Sequence, residues 1–117
     1  MNECYEVLIV GAGPAGSTLA ALLGRRGVKT LLLDRATFPR DKVCGEYMSP
    51  EALGTLDRTG VLEKVESAPH RKLRGIIIHA YDGRPVKGTY RPVGSHAPYR
   101  PYGLAIQREI FDEILFR

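Results

Sequence analysis

The chain has 117 residues, 44% of them hydrophobic, and a formal charge of +4. This is enough for one small domain, and the apolar patterning is too regular for a disordered chain. The cationic excess is spread along the sequence and densest at "HRKLRG", residues 70–75. It favours a solvated surface or an anionic small ligand over nucleic acid. Cys4 and Cys44 are the only cysteines and have no C-x-x-C spacing, so neither a zinc site nor a secreted disulfide framework is supported and no metal is expected.

The N-terminal "MNECYEVLIV" carries two acids and no basic residue before a short apolar run, which argues against a signal peptide. No apolar run is long enough to span a bilayer. The expected location is cytoplasmic, with contact at a membrane surface left open.

"YEVLIV", residues 5–10, is rich in β-branched and aliphatic residues and predicts a strand buried on both faces of a parallel sheet. Pro14 fits a first helical turn, Leu19, Ala20, Leu22 and Leu23 keep helical spacing, and Gly27 fits a C-terminal cap, so a helix is predicted over 14–26. "VKTLLLD", residues 28–34, predicts the next strand. Residues 1–34 therefore read as one βαβ unit.

Ser49, Pro50 and Glu51 mark a helix start, "PEALGTLDRTG" runs to Gly60, and "VLEKV" predicts a short second helix. Residues 72–90 predict a β-hairpin around Asp82-Gly83, an excursion from the parallel sheet, with Pro85 at an edge. "RPVGSHAPYRPYG", residues 91–103, predicts an extended loop whose Tyr90, Tyr99 and Tyr102 either line a pocket or pack the loop. Residues 103–117 then give a returning strand, "GLAI", and an amphipathic helix burying Ile110, Phe111, Ile114 and Leu115. No polar stop follows that helix, so the fold class expected is a Rossmann-like α/β dinucleotide-binding domain, incomplete at its C-terminus.

"GAGPAG", residues 11–16, is G-x-G-x-x-G set between a predicted strand and a predicted helix, with Asp34 ending the next strand. Gly11 permits the sharp turn, Gly13 leaves room for a pyrophosphate, and Gly16 lets the helix approach the sheet. The helix start at Pro14, Ala15 and Gly16 offers unpaired N–H groups and the positive dipole end to phosphates. Asp34 can accept the hydroxyls of an adenosine ribose, which favours FAD or NAD over NADP, although Arg35 could accommodate a 2′-phosphate.

Two further features carry chemistry. In "FPRDKVCGEYMSP", residues 38–50, Cys44 lies near Lys42 and Arg40, cations that would favour its thiolate; the alternative is a small apolar residue packed in a loop. Arg108 stands at a helix start, where its charge opposes the dipole, so either an anionic ligand or an i, i+4 pairing with Asp112 accounts for it.

"VLIVGAGPAGSTLA", "LLLDRATFPRDKVCGE" and "GLAIQREIFDEIL", in that order, resemble the flavoprotein group of geranylgeranyl reductases, flavin-dependent halogenases and aromatic-ring monooxygenases. "K-x-C-G" looks most like the geranylgeranyl reductase branch. The resemblance implies FAD as cofactor, with Gly11, Gly13, Ala15 and Gly16 along its pyrophosphate, Asp34 at the ribose and Arg35 near the adenine. It also implies Arg108 against the flavin's linking chain and Cys44 beside the isoalloxazine ring, Gly45 permitting close approach. The implied function is the FAD-binding portion of an oxidoreductase acting on an apolar small molecule, with isoprenoids a candidate class. The alternatives are a monooxygenase, a halogenase or a non-catalytic dinucleotide-binding fragment. The sequence names no electron donor.

Overall fold

The computed structural model describes residues 4–117. Met1, Asn2 and Glu3, which open the segment considered for a signal peptide, lie outside the described residues. β1 (Val7–Val10), α1 (Pro14–Gly24) and β2 (Thr30–Leu33) form the expected unit, with β1 and β2 parallel and Val7 opposite Thr30. α1 is shorter than the predicted 14–26 because its end closes over two residues. The Val28 N–H donates to Leu23 O at 3.1 Å and the Gly27 N–H to Gly24 O at 3.0 Å, while Gly27 adopts φ +77°. That is a Schellman closure, with glycine in the left-handed position.

The parallel pair is not buried on both faces. Ile9 is buried, but Leu8, Val10 and Leu33 are exposed. Apolar residues on both sides of a parallel strand require a layer on each side; among the described residues α1 packs on β1 and β2 and covers one face.

β3 (Tyr47–Met48) follows the loop, then α2 (Pro50–Thr59) and α3 (Leu62–Ser67). Ser49 caps α2, its Oγ accepting the Ala52 N–H at 3.3 Å, and Gly60 closes it at φ +80°. The predicted strand over 72–81 divides at Arg74. β4 (Arg71–Leu73) pairs with β7 (Gly103–Ala105), whereas β5 (Gly75–His79) and β6 (Pro85–Thr89) make the hairpin. The Gly83 N–H donates to Ala80 O at 2.8 Å and the Ala80 N–H to Arg84 O at 2.9 Å, with Gly83 at φ +81°, a tight turn with a glycine bulge.

The returning strand β7 does not extend the β1–β2 pair. It is the centre of an antiparallel sheet in the order β3-β7-β4. α4 (Arg108–Phe116) completes the chain. The core gathers Leu53 and Leu56 of α2, Leu62 and Val65 of α3, Leu104 and Ile106 from β7 and its exit, and Phe111 of α4. Ile110, Ile114 and Leu115 pack around it partly buried, and the charged Asp112 is fully buried on the same helix. The molecule measures 64 × 33 × 27 Å. Residues 34–46 connect the parallel and antiparallel sheets, and their 38–46 part runs along α4, with Phe38 at Phe116, Arg40 at Asp112 and Cys44 near Arg108.

Candidate functional site

Gly11, at φ +108°, turns the chain out of β1, and its N–H donates to Leu33 O at 2.6 Å. A Cβ on Gly16 would run into the Gly11 carbonyl oxygen and lie 3.3 Å from Ile9 Cγ2, so this position admits glycine alone without rearrangement. The buried Ser17 ties the first helical turn to the loop, its Oγ donating to Ala12 O at 3.0 Å. The first N–H groups of α1 have no partner within the helix and point out of its N-terminus, as an anion site needs.

Asp34 is more occupied than its place in the motif suggests. Its Oδ2 accepts the Ala12 N–H at 2.7 Å and its Oδ1 the Ala36 N–H at 2.8 Å. These N–H groups, Ala36 first and then Ala12, hold the carboxyl below its usual range, with smaller help from the Arg40 and Arg35 charges. The carboxylate therefore locks the glycine turn onto the end of β2, and each oxygen keeps a lone pair for a ribose hydroxyl.

A depressed carboxyl pKa stabilises the folded state above the unfolded value of 3.8, and that contribution is lost as pH falls through it toward the folded value. The expected result is a melting-temperature gap between wild type and Asp34→Asn that is widest above pH 4 and closes on acidification. A gap that stays constant with pH would contradict this.

A hollow of about 350 Å³ beside Asp34 is bordered by Val10, Gly11, Arg35, Arg40 and Lys42. On the other side of the turn, a cavity of about 160 Å³ brings Pro14 together with Cys44, Glu46, Ile106, Arg108 and Phe111. The glycine motif, the cysteine loop and the Arg108 helix, separated in sequence, thus converge at the start of α1.

Arg108 makes the i, i+4 pairing with Asp112 and also lies near the glycine turn. Its Nε and Nη2 each donate to Asp112 at 2.8 Å, and a methyl placed on Gly13 would lie 4.0 Å from Nη2. Hydrogen bonding to Asp112 raises its pKa further. Cys44 is exposed, and its thiol pKa is lowered by the Glu46 N–H, which donates to Sγ at 3.4 Å, and next by Arg108. The cation beside the thiol is therefore Arg108, not Lys42 or Arg40. Gly45 has open space where a Cβ would stand, and the left-handed residue of the loop is its neighbour Glu46, at φ +57°.

Two residues escaped the sequence reading as site members. Arg40, there only a neighbour of Cys44, brings Nη1 to 2.9 Å from Asp112 Oδ2 and Nη2 to 3.7 Å from a methyl placed on Gly13. Asp112 joins both arginines. An acid on the apolar face of an amphipathic helix is the signal that could have identified it.

The loop tyrosines are tied to neighbouring side chains, and Tyr102 also borders a hollow of about 430 Å³ with Lys72, Arg74 and Pro101. Tyr99 OH donates to Asp57 at 2.6 Å, Tyr102 OH donates to Glu66 at 2.5 Å, and the Tyr47 and Tyr90 hydroxyls share a hydrogen bond of 2.7 Å that pushes the Tyr90 phenol up to about 12. Larger hollows, of about 540 and 590 Å³, lie beside β4 and β7 and between α3 and α4; neither reaches the glycine turn. Among the described residues no cluster of three or more His, Cys, Asp or Glu could hold a metal, and no helix is long and apolar enough to cross a membrane.

The geometry agrees with what comparison with known proteins finds. The FAD binding domain family matches residues 4–110. A menaquinone reductase of Mycobacterium tuberculosis is 40% identical over 83 residues, 71% of this chain and 20% of that protein. A 1H-pyrrole-2-carbonyl-[peptidyl-carrier protein] chlorinase of Pseudomonas fluorescens is 40% identical over 81 residues, 69% of this chain and 18% of that protein. The solved myxobacterial chondrochloren halogenase, FAD-dependent, superposes with a TM-score of 0.85 at 29% identity, over 99% of this chain and 26% of its own. The chain spans about a fifth of the length of the curated relatives it matches. The glycine turn, the Asp34 carboxylate and the two arginines beside Gly13 are donor and acceptor groups of the kinds FAD offers partners for, and the chain belongs to the FAD binding domain family.

Proposed function

We propose that the chain is the FAD-binding portion of a reductase, similar to geranylgeranyl reductases, that acts on an apolar, isoprenoid-bearing small molecule. The observation that carries this reading is the shared cavity of Cys44, Arg108 and Pro14. It sets the K-V-C-G loop, the feature most like the reductase branch, at the mouth of the phosphate turn. The menaquinone reductase among the relatives supports a reductive reaction on an apolar substrate.

FAD, when bound, supplies the hydride-carrying ring, which the protein itself lacks. In this reading the N–H groups at Gly13, Ala15 and Gly16, led in by Gly11 and Pro14, bind the pyrophosphate. Asp34 accepts the ribose hydroxyls and Arg35 flanks the adenine. Arg40 and Arg108 neutralise phosphate charge, and Cys44 and Gly45 border the ring. The exposed apolar hairpin residues Ile76, Ile77 and Ile78 are compatible with an apolar substrate or a membrane surface nearby.

Titration with FAD is expected to quench flavin fluorescence, and binding of NAD in its place would remove the reading. Reduced chemically without oxygen, the whole FAD-loaded protein that carries this portion is expected to yield a dihydro product from a prenylated substrate, detected by mass spectrometry, whereas the 117-residue portion alone is expected to turn over poorly. A product formed only with oxygen and carrying one of its atoms would assign a monooxygenase, the second reading, favoured by a squalene monooxygenase of Mus musculus that is 37% identical over 79 residues, 68% of this chain and 14% of that protein. A halogenated product formed only with halide and oxygen would assign a halogenase.

A further inference from the structure

Asp112 presents an energetic problem that its place in the fold resolves. A carboxylate with no solvent exposure costs several kcal/mol unless it is paired and hydrogen-bonded, and Asp112 is exposed to 0%. Its partners come from two elements. Arg108, one helical turn earlier on α4, chelates it through Nε and Nη2. Arg40, from the loop after β2, meets Oδ2 through Nη1. Phe38 of that loop stacks on Phe116 of α4 at 4.4 Å, and the Arg40 guanidinium lies 5.0 Å from the Phe38 ring. Both Nη2 groups approach Gly13.

We propose that Asp112 is the positioning residue of the phosphate site, its buried carboxylate holding Arg40 and Arg108 in place beside Gly13 before any ligand arrives. The proposal rests on the FAD site described above. Two guanidinium charges against one carboxylate leave the cluster with a single positive excess. Each arginine keeps N–H groups that Asp112 does not use: Arg108 retains Nη1 and the second N–H of Nη2, and Arg40 retains Nη2. The bidentate pairing fixes the Arg108 guanidinium plane, and the single ion-pair contact of Arg40 Nη1 with Asp112, together with the Phe38 ring beneath its guanidinium, restrains Arg40, so part of the flexibility that an arginine ordinarily loses on meeting phosphate is lost in advance. Preorganisation of this kind raises affinity by lowering the ordering cost at binding.

The sign of the effect separates positioning from bulk charge. Asp112→Asn removes a negative charge and leaves the cluster more cationic, so charge alone predicts tighter ADP binding. Positioning predicts weaker binding, by roughly tenfold, the equivalent of one well-directed charge-assisted hydrogen bond.

The experiment is calorimetric titration of the whole chain with ADP and with adenosine, for wild type, Asp112→Asn and Asp112→Glu. The last keeps the charge but displaces it by one methylene, so it carries the test if Asp112→Asn does not fold by circular dichroism. The expected result is weaker ADP binding in the folded variants with adenosine binding unchanged. ADP binding that is equal or tighter would overturn the positioning role. Parallel loss of ADP and adenosine would overturn it too, by making Asp112 a structural tie between α4 and the loop. A wild type that binds ADP no better than adenosine would instead overturn the assignment of the phosphate site itself.

Discussion

Gly16→Val is expected to abolish FAD binding and to destabilise the chain by about 3 kcal/mol, the upper end of the ordinary cost of overpacking. Any Cβ at this position meets the Gly11 carbonyl oxygen, a backbone atom that cannot rotate away as a side chain would. Gly11 is itself held at φ +108° with its N–H bonded to Leu33, so relief has to come from moving α1 off β1. That movement carries the first N–H groups of the helix away from the phosphate position. Gly24→Ala is the control. Nothing lies within 4 Å of a Cβ there, and alanine in place of a helical glycine is expected to add up to about 1 kcal/mol. Urea unfolding and FAD fluorescence titration of both variants check the contrast; full FAD binding by Gly16→Val would refute it.

Arg108→Ala should have an effect of similar size by a different route. It leaves the fully buried Asp112 with Arg40 alone, and removing one partner of a buried ion pair costs about 3 kcal/mol or more. The same change removes one arm at Gly13 and the cation beside Cys44, so FAD affinity is expected to fall as well. Arg108→Lys should restore little of either, because an ammonium cannot place two parallel N–H groups on one carboxylate. Unfolding curves and FAD titrations read both effects. Unchanged stability in Arg108→Ala would show that Arg40 alone satisfies the buried charge.

How much of this was legible in advance depends on the range of the interactions. The Ser49 cap, the Gly60 stop and the Asp82-Gly83 turn are set by residues a few positions apart and stand where the sequence put them, and the βαβ unit, whose strands pair across 23 positions from Val7 to Thr30, keeps its predicted order with a shorter helix. The split at Arg74 was not legible, because "KLRGIIIHAY" reads as one continuous strand-forming run. Only the competition of two partners, β7 for its first half and β6 for its second, divides it. The bare second face of β1 was likewise not legible, since an apolar run records what a strand can bury, not what packs on it. Arg108 was legible as two alternatives, a ligand-facing cation or a partner of Asp112, and the structure supplies the pairing while bringing Nη2 near Gly13.

The sequence by itself determined the dinucleotide turn, because glycine at 11, 13 and 16 and an acid at 34 are requirements of backbone geometry and ribose chemistry, written within a few dozen residues. Through the order of its three motifs it also pointed to FAD. Only the tertiary structure decided that Arg40 lies beside Gly13, that Asp34 fastens the glycine turn, and that Asp112 lies buried between two cations. The first and last of these depend on loop 38–46 being laid along α4. Periodicity cannot express such a juxtaposition, because the charges that meet there are more than seventy positions apart along the chain.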